Sequence, residues 1–100
     1  MLMLTVDISM YPLKDDFITP ITWFIERLAT YPNIKRKTNA LATQICGPHD
    51  EVMAMLSKEM KAAHEHFGQA VFVCKFLPGE RELDYQDHFG KGGHTAGANE

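Results

Sequence analysis

Residues 3–17, Met3-Leu4-Thr5-Val6-Asp7-Ile8-Ser9-Met10-Tyr11-Pro12-Leu13-Lys14-Asp15-Asp16-Phe17, decide how this chain is read. Leu4, Val6, Ile8 and Met10 alternate with Met3, Thr5, Asp7, Ser9 and Tyr11, the period of two that marks a strand with one greasy face and one mostly polar face. The strand closes at a Tyr11-Pro12 corner. Two carboxylates, Asp15 and Asp16, then lead into Phe17, Ile18, Ile21, Phe24, Ile25 and Leu28, which recur at helical spacing and form one stripe for packing on a sheet. Polar groups therefore gather where a sheet edge meets a helix start, a corner able to hold a ligand.

Working outward, the helix start is read at Thr19 as N-cap with Pro20 in the first position, because Asp16 as N-cap would put Pro20 at the fourth. The helix ends by Pro32, since the residue before a proline is pushed out of the α region. Residues 34–39 alternate Ile34, Arg36 and Thr38 with Lys35, Lys37 and Asn39, a pattern suited to an edge strand guarded by charge. Residues 41–46 are more apolar and read as an inner strand broken by Gly47-Pro48. His49 or Asp50 opens a second helix with the stripe Val52, Leu56, Met60, Ala63 and Phe67, Met53 and Met55 lying beside it, and Gly68 closes it as a C-cap. A last strand runs from about Ala70 to Leu77 and ends at Pro78-Gly79. The order βαββαβ, with short loops and right-handed crossovers, predicts an α+β ferredoxin-like sandwich over residues 1–79, antiparallel sheet order 4-1-3-2, both helices on one face.

One hundred residues with 45% hydrophobic and 23% charged side chains suit one globular domain. A core this small buries only about 60% of the surface its unfolded chain exposes, so a homo-oligomer is expected. A net charge of −3 supplies no basic stripe of the kind phosphate backbones require, which makes nucleic acid a poor partner. The Met1-Leu2-Met3-Leu4 start has no leading positive cluster and Asp7 interrupts it, which reads as neither signal peptide nor membrane span and points to the cytoplasm. Cys46 and Cys74 sit in apolar strand-like runs without close-spaced metal partners and read as reduced thiols, a disulfide being the alternative in a secreted chain. From Glu80 onward Gly90, Gly92, Gly93 and Gly97 remove any period, so residues 80–100 read as a disordered tail or, through Leu83, Tyr85 and Phe89, a segment docking on a neighbouring subunit.

Ser9-Met10-Tyr11-Pro12-Leu13 with Asp15-Asp16-Phe17, Thr38-Asn39, Thr43 four residues before Gly47, and the helix near Asp50-Glu51-Val52 together resemble the YkoF-like thiamine-binding family of small ferredoxin-like proteins. The likeness covers about residues 5–79. It implies binding of thiamine or its hydroxymethylpyrimidine moiety without turnover, and a homodimer or dimer of dimers assembled from single units. Ala42-Thr43 departs from the Ser-Thr common in such strands, and Asn39 stands where an acidic residue can occur.

An aminopyrimidine needs coplanar hydroxyls or amides and an apolar surface for its ring. Ser9, Thr38, Asn39 and Thr43 have the right chemistry, and Tyr11 can lie against a ring or lend its hydroxyl; these five are the candidate ligand-binding residues. Each also has a structural reading: Ser9 and Thr43 as small residues on a packed sheet face, Tyr11 as the strand's exit corner. Asp15 and Asp16 suit the positive end of the following helix better than a cation site. His64 and His66, two apart, cannot grip one metal as an i, i+4 pair can, and the methionines of the second helix read as core. No metal site, cofactor, catalytic residue or phosphate loop is called for, which favours a binding protein over an enzyme. The competing reading is an oligomerisation or regulatory module without a thiamine-related ligand. A small α/β-barrel enzyme lacks pocket histidines, and an RNA-binding sheet lacks aromatics over residues 41–47.

Overall fold

The structure, a computed structural model, describes residues 1–90. Its elements follow in the order β1 (Met3–Pro12), α1 (Ile18–Leu28), β2 (Lys35–Thr38), β3 (Thr43–Pro48), α2 (His49–Phe67) and β4 (Ala70–Pro78). The sheet has the order β2-β3-β1-β4 with every pair antiparallel, the ferredoxin-like arrangement 4-1-3-2 read from the other edge. β1 is central because alternation supplies it with a full apolar row. Leu4, Val6, Ile8 and Met10 turn to the helices and meet Ile45 of β3, Phe24 and Leu28 of α1, and Val52, Met55, Leu56 and Ala63 of α2. Each large side chain buried in this way contributes about 1.5–3 kcal/mol of transfer free energy.

Several boundaries differ from the sequence reading. The first helix opens at Ile18, one residue before the expected cap Thr19, so Pro20 occupies its third position. That placement costs no bond, because the first four helical N–H groups have no partner inside the helix. Asp16 Oδ1 accepts the Thr19 N–H at 3.2 Å and supplies the cap from outside. Phe17 and Ile18 stay 52% and 60% exposed and do not join the core. β3 continues through Gly47 and Pro48 instead of breaking there, Gly47 pairing with Leu4. Glycine is required at that point by close approach: a Cβ would lie 2.9 Å from Ile34 Cγ1 and 3.2 Å from the Asn33 carbonyl oxygen. In α2, Met55 is fully buried while Met53 is exposed, and Gly68 closes the helix at φ 86°.

A buried carboxylate clamps the two helices. Glu59 of α2 is wholly inaccessible and accepts from Arg27 Nε and Nη2 of α1, both at 3.0 Å, and from the Tyr31 hydroxyl at 2.5 Å. The Arg27 guanidinium, helped by Tyr31, holds the Glu59 carboxyl below its usual range against the opposing effect of burial. Burial and the Glu59 carboxylate push the Tyr31 phenol up.

Among the described residues no helix covers the other sheet face. Segment 79–84 crosses its β3–β2 half: Gly79 N–H donates to the Met3 carbonyl, Thr5 Oγ1 donates to the Gly79 carbonyl at 2.9 Å, and Lys37 Nζ reaches Asp84 Oδ1 at 2.5 Å. Leu83 is half-buried there. Cys46 lies opposite Thr5 and Cys74 opposite Ile8, so the two free thiols stand on opposite faces of the sheet and cannot bridge. Residues 91–100, with Gly92, Gly93, His94 and Gly97 of the glycine-rich tail, lie outside the described residues. Among the described residues no helix is long and apolar enough to cross a membrane.

Candidate ligand-binding site

β1 outruns β3. Its ladder to β3 ends at Ile8 opposite Thr43, whereas its ladder to β4 continues to Pro12 opposite Ala70. The notch left beyond Thr43 is framed by the loop joining β2 to β3 on one side and by α1 above, and it opens into a cleft of ≈ 290 Å³. That is near the lower bound of about 300 Å³ for small-molecule sites, a size for one ring with short substituents. Ile21, Phe24 and Ile25 of α1 form the apolar wall, with Phe17 at the helix start and Leu41 and Ala42 in the loop.

Ser9, Tyr11, Thr38, Asn39 and Thr43 all border this one cleft. Thr38 and Thr43 are cross-strand partners on the helix-facing side, their Oγ1 atoms 3.0 Å apart. Thr43 is 5% exposed, and Arg36 Nη1 donates to Thr38 Oγ1 at 2.7 Å. An Arg can only donate, so Thr38 must accept from it. The two hydroxyls share one bond between them, and one hydroxyl proton is then left to donate into the cleft whichever threonine is the donor.

Asn39 has a different task. Its Oδ1 accepts the backbone N–H groups of Leu41 and Ala42, both at 3.0 Å, its Nδ2 donates to Gln44 Oε1 at 3.1 Å, and its backbone N–H donates to the Ala42 carbonyl. It builds the loop, as an Asx turn does. Ser9 and Tyr11 belong to the alternate set of β1 residues, opposite Val73 and Val71, whose side chains stand on the uncovered face. Ser9 Oγ donates to the Leu41 carbonyl at 3.4 Å and ties the loop back to the strand, and Tyr11 is 55% exposed at the strand's end.

The apolar wall escaped the sequence reading as a site because Ile21, Phe24 and Ile25 carry the same periodicity that packs a helix on a sheet. A usable signal was the surplus: Phe17 and Ile18 extend the stripe past what the sheet can cover. Asp16 is spent on Thr19, whose hydrogen bonds hold its carboxyl below the usual range. His64 and His66 are exposed at the end of α2, the His66 ring packing at a tilt against Trp23 with 5.0 Å between centroids, and among the described residues no cluster of three or more His, Cys, Asp or Glu could hold a metal.

Fold and cleft together define a small ferredoxin-like sandwich with a ring-sized notch between its first helix and its β2–β3 loop. No protein-family model matches the chain, and no curated protein matches it in sequence. Solved structures do. A Thermotoga maritima protein, provisionally described as a thiamine biosynthesis/salvage protein, superposes with a TM-score of 0.68 at 18% identity, covering 74% of this chain and 81% of that one. A Streptococcus pneumoniae protein matches with TM-score 0.71, 21% identity and coverage of 78% and 88%. A Bacillus cereus domain of unknown function, DUF77, matches with TM-score 0.66, 15% identity and coverage of 88% and 94%. At these identities the likeness establishes the shared fold.

Proposed function

We propose that the protein binds a small heteroaromatic molecule, thiamine or its hydroxymethylpyrimidine moiety, without chemically transforming it, as a member of the YkoF-like thiamine-binding group. The observation that carries this reading is the notch beyond Thr43, where an apolar wall faces a hydroxyl pair with a proton to spare. The T. maritima neighbour's description as a thiamine biosynthesis/salvage protein agrees with it. The role is that of carrier, buffer or salvage component, in a cytoplasm where Cys46 and Cys74 remain thiols. Its volume favours the pyrimidine alone, or thiamine with its thiazolium outside the notch, over a ligand swallowed whole.

A second reading, an oligomerisation module, is favoured by the uncovered β1–β4 half of the sheet, where Tyr11, Val71 and Val73 are about half exposed and Leu77 is 38% exposed. The two are compatible if a homodimer, or a dimer of dimers, forms on this face while the cleft opens on the other. Isothermal titration with thiamine, hydroxymethylpyrimidine and thiamine diphosphate separates them. Saturable binding near one site per chain supports the ligand reading; no heat with any of the three leaves the oligomerisation module standing alone.

A further inference from the structure

In an antiparallel strand the N–H and C=O of one residue point to the same side, and successive residues to opposite sides. Three bonds beyond the ladders set the parity of β1. The Met3 carbonyl accepts from Gly79 N–H at 2.7 Å, and Leu13 N–H donates to the Gln69 carbonyl at 3.0 Å, both on the β4 side. The Leu2 carbonyl accepts from His49 N–H at 2.9 Å on the β3 side. Register is unbroken from Met3 to Pro12, so even-numbered residues address β3 throughout. Ile8 is the last of them to meet a partner, Thr43. Met10 comes next, and its N–H and C=O point into the notch where β3 has ended. Met10 borders the cleft, and none of the hydrogen bonds among the described residues outside the ladders engages its backbone. Pro12, the following even residue, fits the same geometry: its missing N–H would have faced a side with no strand to receive it.

We propose that the free N–H and C=O of Met10 are the anchor of the cleft, receiving a planar ligand whose rim carries a ring-nitrogen acceptor beside an amine donor. This rests on the ligand-binding reading above and specifies its chemistry. In extended backbone the two groups of one residue run nearly parallel, so they meet an adjacent acceptor and donor as a neighbouring strand would. A 4-aminopyrimidine offers that edge. Pairing with the strand edge sets the ring close to the plane of the sheet and turns one ring face toward Ile21 and Ile25 of α1. The Met10 side chain is buried in the core and opposite Phe72, which holds the anchor rigid. Water occupies such groups in an open cleft, so a ligand gains by replacing it with a preorganised pair.

The test uses the full chain, labelled with 15N and titrated with 4-amino-5-hydroxymethyl-2-methylpyrimidine. On saturation the Met10 amide proton moves downfield and its exchange with solvent slows, while the Ile8 amide, already paired with β3, keeps its exchange rate. Replacing residue 10 by the corresponding α-hydroxy acid turns the amide into an ester, removes the donor and keeps the side chain; affinity falls roughly threefold to tenfold. A ligand with methyl in place of the amine binds the unaltered chain roughly tenfold or more weakly, since the Met10 carbonyl loses its donor. Saturable binding with an unshifted, unprotected Met10 amide, or an ester chain that binds as tightly as the amide, overturns the anchor and leaves the pyrimidine reading in place. Failure of the unaltered chain to bind any aminopyrimidine overturns both.

Discussion

In the proposed site Thr43 offers a hydroxyl proton rather than a charge. With Arg36 donating to Thr38, the Thr38–Thr43 pair keeps one hydroxyl proton for a guest, and Thr43 is the more enclosed of the two. Thr43→Val preserves shape and removes that hydroxyl, so it weakens ligand binding by about 1–3 kcal/mol, measured by titration, with little change in the unfolding midpoint because Thr38 keeps Arg36. Asn39, by contrast, is consumed by its loop. Glu59 ties stability to pH. Its carboxyl is held below its unfolded value of 4.5, so its contribution is complete above that pH and is lost as pH falls through the lower folded value. Glu59→Gln is about 1–2 kcal/mol less stable at pH 7, a figure kept modest because Arg27 is 39% exposed, and the deficit shrinks as the pH falls from 4.5 toward the lower folded value and the native carboxyl protonates. Denaturant titrations across that pH range check this; a deficit that does not depend on pH would show that the charge of Glu59 is not what clamps the helices.

At the scale of elements, the gap between β3 and the end of β1 makes the cleft, and the Gly47 contact sets where β3 passes Ile34. Gly47→Ala forces a Cβ to within 2.9 Å of Ile34 Cγ1 and costs about 1–3 kcal/mol, read as a lower denaturant midpoint with an unchanged slope. A midpoint equal to wild type would mean that Ile34 moves aside freely. The strand and helix periods of Leu4 to Met10 and Val52 to Ala63 were legible because burial on one face imposes them directly. Gly47-Pro48 was misread as a break because local propensity says nothing of a neighbouring strand that accepts both residues. The buried Glu59 was invisible for a related reason: its partners, Arg27 and Tyr31, lie some thirty residues away and are brought to it only by the packing of α1 on α2. Of the site, the residue types Ser9, Tyr11, Thr38, Asn39 and Thr43 stood out in the sequence and border one cleft, but their separate tasks depend on which face of the sheet each addresses.

For the whole molecule, the sheet separates two surfaces of different character. The cleft opens on the helix side, while segment 79–84 crosses the opposite face and is fastened by an ion pair whose side chains are 48% and 69% exposed. Such a pair is worth about 1 kcal/mol or less. Truncation after Gly79 therefore lowers the melting temperature by only a few degrees and leaves ligand affinity unchanged; a loss of affinity on truncation would contradict the independence of the two faces. The proposed function puts the ligand in the notch beyond Thr43. A crystal structure of the protein grown with hydroxymethylpyrimidine tests it most directly. The ring is expected between α1 and the β2–β3 loop, with its amine and ring nitrogen against Met10 and a second polar contact to Thr43. A ring bound on the uncovered sheet face, with the notch holding only water, would contradict it.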